Sequence, residues 1–129
     1  MEAEIMSADP LKLVGILYRA AIESVAAARR HIQNQEVRER ARKITRASTI
    51  INELMLSLDH SAGGEISRNL VELYAYMQTR LIEANTQQAS APLEEVETLL
   101  ITLQEAWTET ARAAATLAGV APESEYAPA

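Results

Sequence analysis

The chain has 129 residues, a net charge of −6, no Cys and no Phe, with aromatics at 4%. Its length fits one domain, able to bury roughly 65–70% of its unfolded surface. The composition excludes disulfides and thiolate metal sites, disfavours general nucleic-acid binding, and leaves the core to Leu, Ile, Val, Ala and Met.

The first residues, MEAEIMSADP, have an acidic start and no apolar signal-peptide core, and no apolar run reaches the ~18–20 residues that span a bilayer. The expectation is a soluble cytoplasmic protein without membrane insertion.

Asp9-Pro10 is a helix start, with Asp as N-cap and Pro at the first helical position. The first helix carries Leu11, Val14, Leu17, Tyr18, Ala21, Ile22, Val25, Ala28 and Ile32 on one face and ends near Gln33. After a short loop at Asn34-Gln35-Glu36, the second helix carries Val37, Ala41, Ile44, Ala47, Ile51, Leu54, Met55 and Leu58. Asp59 to Gly64 is a corner, where the Gly63-Gly64 pair supplies backbone freedom. The third helix opens with Glu65 in its first turn, suited to the positive end of the helix dipole. It follows Ile66, Leu70, Leu73, Tyr74, Met77 and Leu81 to about Thr86. Gln87 to Ala91 is polar and small. Pro92 then starts a fourth helix with Val96, Leu99, Leu100, Leu103, Trp107 and Thr110 facing inward.

No segment alternates with the period of a strand. Four long helices with short loops predict an all-α antiparallel four-helix bundle over residues 1–118, with a flexible, disordered C-terminal tail at 119–129.

Catalytic and metal chemistry finds little support. Neither His31 nor His60 has a Glu three residues before it, so the Glu-x-x-His pairs of carboxylate di-iron bundles are missing. No Ser–His–Asp or Cys–His set can be assembled, and Gly63-Gly64 lacks the flanks of a phosphate loop. The expectation is a protein without enzymatic activity, metal or cofactor. His60 leaves an alternative open, a signalling or adaptor bundle with phosphotransfer through that residue, although it falls in a corner rather than on a helix face. Arg29, Arg30, Arg38, Arg40, Arg42, Lys43 and Arg46 cluster around the first turn, with Arg38, Arg42 and Arg46 on the solvent face of helix two. Solvated charge explains them. The functional alternative is an acidic partner or nucleic acid, and no aromatics interleave them.

Surplus apolar residues point to binding. At ~100° per residue, several fall outside the core stripes. They are Leu13, Ile16, Ala20 and Ala27 on helix one, Ile50 and Leu56 on helix two, Val71, Ala75 and Ile82 on helix three, and Ile101 on helix four. The excess on helices one and three predicts a shallow apolar groove for an amphipathic partner helix. Leu13, Ile16, Val71, Ala75 and Ile82 are the first candidates for partner contact. Ile50 and Tyr76 are the second, the tyrosine packing its ring at the stripe edge with its hydroxyl wet.

The residues also carry a family resemblance. Ser57-Leu58-Asp59, Gly63-Gly64-Glu65-Ile66, Asn69-Leu70, Leu73-Tyr74, Tyr76-Met77 and Arg80-Leu81-Ile82-Glu83-Ala84-Asn85 resemble the signature of the flagellar export chaperone FliS. Met6 to Pro10 with Leu17-Tyr18 resembles the family's first helix, and Leu93-Glu94-Glu95-Val96 with Ala106-Trp107 its last. The match runs over roughly residues 4–109 in order and spacing. The resemblance implies a cytoplasmic bundle that binds the disordered C-terminal region of flagellin, blocks premature polymerisation and delivers it to the flagellar export gate, without ATP. A disordered client needs a long apolar surface, and the surplus stripes are such a surface. The apolar faces also make the free chain a candidate weak homodimer. Three positions depart from the family pattern. Arg19-Ala20 stands where Asp-Gly follows Leu-Tyr, and Ala75 stands where Asp is common, which makes the helix-three stripe more continuous. The family commonly carries a further Tyr-bearing segment upstream of the Ser7-Ala8-Asp9-Pro10 block, and here only a few residues precede that block.

Overall fold

The computed structural model describes residues 10–58 and 63–117. They form four helices, α1 (Pro10–Gln33), α2 (Val37–Leu56), α3 (Glu65–Gln87) and α4 (Ala91–Leu117). Among the described residues there is no strand. The expected tail at 119–129 and the corner residues Asp59 to Ala62 lie outside the described residues.

The helix ends follow from local chemistry. At the end of α1, Gln35 takes a left-handed φ of 57°. Its N–H donates to Ile32 O (3.1 Å), and that of Glu36 to His31 O (2.8 Å). This is the Schellman closure. Gln88 (φ 53°) closes α3 in related fashion, with Ala89 N donating to Ala84 O (3.2 Å). At the α2–α3 corner both glycines have a reason. Gly64 caps α3 at φ 53°, ψ −117°, which a Cβ would strain. A Cβ on Gly63 would stand 2.0 Å from the Ser67 hydroxyl oxygen and 3.1 Å from its Cβ.

Each helix packs on its two neighbours, α1 on α2 and α4, α3 on α2 and α4. The result is the expected antiparallel four-helix bundle, with α1 and α3 diagonal. Val25, Ala28, Ile51, Leu54, Met77, Leu81, Ala84, Leu93, Val96 and Leu100 are sealed from solvent in the core. Tyr18 and Tyr74 meet across the diagonal with hydroxyl oxygens 2.7 Å apart. Burial, which disfavours the phenolate, raises the pKa of both. Each hydroxyl thus has the partner that a buried tyrosine needs.

The structure corrects the inward stripes at their ends. Leu11, Val37 and Ile66, expected in the core, are all exposed. Each stands in the first turn of its helix, where the neighbouring helices give least cover. Thr110, expected to face inward, is exposed for the same reason near the end of α4. The opposite correction falls on Ile50 and Ala27, read as surplus. Both are buried, Ile50 at 7% relative exposure. They lie on the edges where α1 and α2 close together, so packing absorbs them. Arg40 belongs with the core too. It is buried, and its Nε donates to Asn85 Oδ1 (3.1 Å).

Candidate functional site

Two polar links fix which flank of α3 faces α2. Ser48 Oγ donates to Gln78 Oε1 (2.5 Å) while Gln78 Nε2 donates back to Ser48 O (2.9 Å), and Arg40 binds Asn85 as above. At ~100° per residue, Val71, Ala75 and Ile82 fall on that same flank, just outside Gln78 and Asn85. The antiparallel register set by the two links brings Met55 and Leu56 of α2 level with Val71. The apolar run on this flank belongs to α3, while α2 presents Ser48, Thr45 and Asn52 beside it. Val71 and Met55 are half-buried, Ala75 is exposed, and Ile82 and Leu56 are exposed at 66% and 71%. Leu56 had been read as surplus but not as a contact. It is level with Val71 but turned outward, on the side of α2 away from the core.

The other candidates separate. Tyr76 is on the opposite flank of α3, over α4. Its hydroxyl donates toward the Glu95 carboxylate, 2.8 and 2.9 Å from the two oxygens. Arg80 Nε donates to Glu95 Oε1 (2.6 Å) and Arg80 Nη1 to Glu83 Oε2 (2.7 Å). The tyrosine hydroxyl, and then Arg80, hold Glu95 below the usual carboxylate range, and the same contact raises Tyr76. The ring remains 44% exposed, so Tyr76 is an amphipathic rim residue with a fixed hydroxyl. Leu13 and Ile16 are half-buried in the first turns of α1, on its α2-facing edge. Ile50 lies beneath that edge in the core and offers no surface to a partner.

The basic cluster is also resolved. Arg38, Arg42 and Arg46 are exposed as expected, with Arg42 pairing to Glu39 at 3.4 Å. Arg40 is the member that turns inward. Its place in the i, i+4, i+7 series with Ile44 and Ala47 was visible in the pattern. On the α1–α4 side Arg29 binds Glu97 and lies 3.7 Å from Glu94. His60, the phosphotransfer alternative, lies outside the described residues. Among those described, no group of three or more His, Cys, Asp or Glu is placed to hold a metal ion. No described helix is long and apolar enough to cross a membrane.

The described residues define a helical-bundle protein with an apolar run left uncovered on one flank of α3. Comparison with known proteins gives the family. The family model described as Flagellar protein FliS matches residues 1–114. The Flagellar secretion chaperone FliS of Salmonella typhimurium (strain LT2) is 39% identical over 108 residues, covering 83% of this chain and 80% of that protein. FliSB of Pseudomonas aeruginosa is 36% identical over 107 residues (83% and 85%). The FliS of Escherichia coli (strain K12) is 33% identical over 110 residues (84% and 81%). The chain belongs to the FliS family of flagellar secretion chaperones.

Proposed function

We propose that this chain is a cytoplasmic, non-enzymatic chaperone that holds the C-terminal segment of flagellin, keeps it from polymerising early and hands it to the flagellar export gate. Family membership supports the flagellar partner. The observation that carries the mode of binding is the apolar run left open on the α2-side flank of α3, half-buried Val71, exposed Ala75 and Ile82 exposed at 66%. A disordered client loses conformational entropy when it binds, and a long shallow apolar strip offsets that loss over many residues. Val71, Ala75 and Ile82 are the proposed central contacts, with Leu13 and Ile16 on the edge of α1 and Tyr76 on the α4 side of α3 as separate secondary contacts. No cofactor or nucleotide enters this reading. Release follows from transfer to the export apparatus, and the same apolar strip is the surface through which the free chain would self-associate weakly.

Calorimetric titration with a peptide from the C-terminal end of the same organism's flagellin tests this. One-to-one binding with a large negative heat-capacity change is expected, because apolar burial carries that signature. Val71→Asp or Ile82→Asp should weaken binding while helicity and thermal midpoint stay near those of the unsubstituted protein. Full-strength binding by both variants would move the client elsewhere on the bundle, and no binding by the unsubstituted protein would remove the flagellin reading.

A further inference from the structure

The seam between α1 and α2 carries a different chemistry. It holds a cleft of about 230 Å³ whose floor is Ala20, Ser24 and Ala27. The Ser24 hydroxyl is spent on Ala20 O (2.9 Å), so the floor presents small apolar surface. Arg30 on α1 and Lys43 and Arg46 on α2 form the rim, against a single carboxylate, Glu23. None of these three cations makes an ion pair or hydrogen bond with a described residue. Elsewhere Arg29, Arg42, Arg80 and Arg112 each face a carboxylate. The chain is acidic overall at −6, yet it gathers three uncompensated positive charges around one small-floored cleft. An anion entering the cleft would be attracted to all three.

We propose that this cleft is a docking site for an acidic peptide segment of a partner protein. Two or more of its carboxylates meet Arg30 and the Lys43–Arg46 pair, and small apolar side chains lie over the alanine floor. Nucleic acid fits less well. No aromatic side chain lines the cleft for base stacking. The cleft is separate from the α3 flank that carries Val71, Ala75 and Ile82, and it continues the edge of α1 that carries Leu13 and Ile16.

The test uses the full chain and a fluorescein-labelled dodecapeptide of Glu, Ala and Leu, read by anisotropy across a salt series. Its Gln-for-Glu counterpart and a labelled single-stranded DNA 12-mer serve as comparison ligands. The acidic peptide should bind, more weakly as salt rises. Lys43→Glu with Arg46→Glu should weaken it ~10-fold or more. Arg19→Glu with Arg68→Glu, two exposed cations outside the cleft, changes net charge equally and should cost about twofold or less. If the reversed pair misfolds by circular dichroism, Lys43→Gln with Arg46→Gln should still weaken binding ~3-fold. Equal losses from both pairs, equal binding of the Gln peptide, or tighter binding of the DNA would each overturn the proposal. So would a gain in affinity on Glu123→Gln with Glu125→Gln, because the chain's own C-terminal carboxylates would then be the occupant.

Discussion

At the scale of single residues, the Tyr18–Tyr74 pair decides most. Both rings are buried and each hydroxyl has the other as its partner at 2.7 Å. Removing one hydroxyl strands the other in a low-dielectric core, which costs ~1–3 kcal/mol, whereas removing both leaves no orphan. Tyr18→Phe and Tyr74→Phe should each lower stability by about that amount in urea denaturation, and the double variant should recover a large part of it. If the double loss equals the sum of the singles, the hydroxyls act independently. Gly64 shows residue-level logic of another kind. Its φ and ψ lie where a side chain is strained, so the glycine signal in the sequence had a conformational cause. Arg40 shows the reverse, a charged member of the basic cluster whose periodicity placed it with the core.

At the scale of helices, the question is which surplus apolar residues packing absorbs. Ile50 and Ile82 make the contrast sharp. Both fall outside their single-helix stripe, but Ile50 is 7% exposed and Ile82 is 66%. Ile50→Asp should destabilise by several kcal/mol, roughly 3 or more, because an unpaired charge enters the core. Ile82→Asp should stay within about 0.5 kcal/mol. Thermal or denaturant unfolding of the two variants side by side checks this. Similar losses at both sites would mean that Ile82 is covered. The pattern could not separate them. A helical wheel knows one helix, and cover depends on where the next helix lies.

The whole molecule adds charge coupling between helices. Glu95 joins α3 to α4 through Tyr76 and Arg80. Its folded pKa is depressed, by the Tyr76 hydroxyl first and Arg80 second. Its contribution is therefore fully present above the unfolded carboxylate pKa and disappears as pH falls through the depressed folded value. The thermal midpoint of Glu95→Gln should sit below that of the unsubstituted protein at neutral pH. The two curves should converge in acid, once Glu95 itself is protonated. A constant gap across the whole pH range would mean that the carboxylate charge is not the stabilising element. The site is exposed, so a small effect is expected.

The four helices, their approximate ends, the antiparallel bundle and the family motifs were all legible in the chain, because they depend on local propensity, on 3.6-residue periodicity and on residue order. Pro10, the Gly63-Gly64 pair and the small polar run at Gln87 to Ala91 mark boundaries through backbone geometry, which a sequence carries directly. The tertiary structure alone decided which edges close. It buried Ile50 and Ala27, exposed Ile66 and Leu11, and set the Tyr76 hydroxyl against Glu95 of α4. It also gathered Arg30, Lys43 and Arg46 from two helices around one cleft. These outcomes depend on inter-helix register and on how far each neighbouring helix reaches, and such distances arise only once separate stretches of chain pack together.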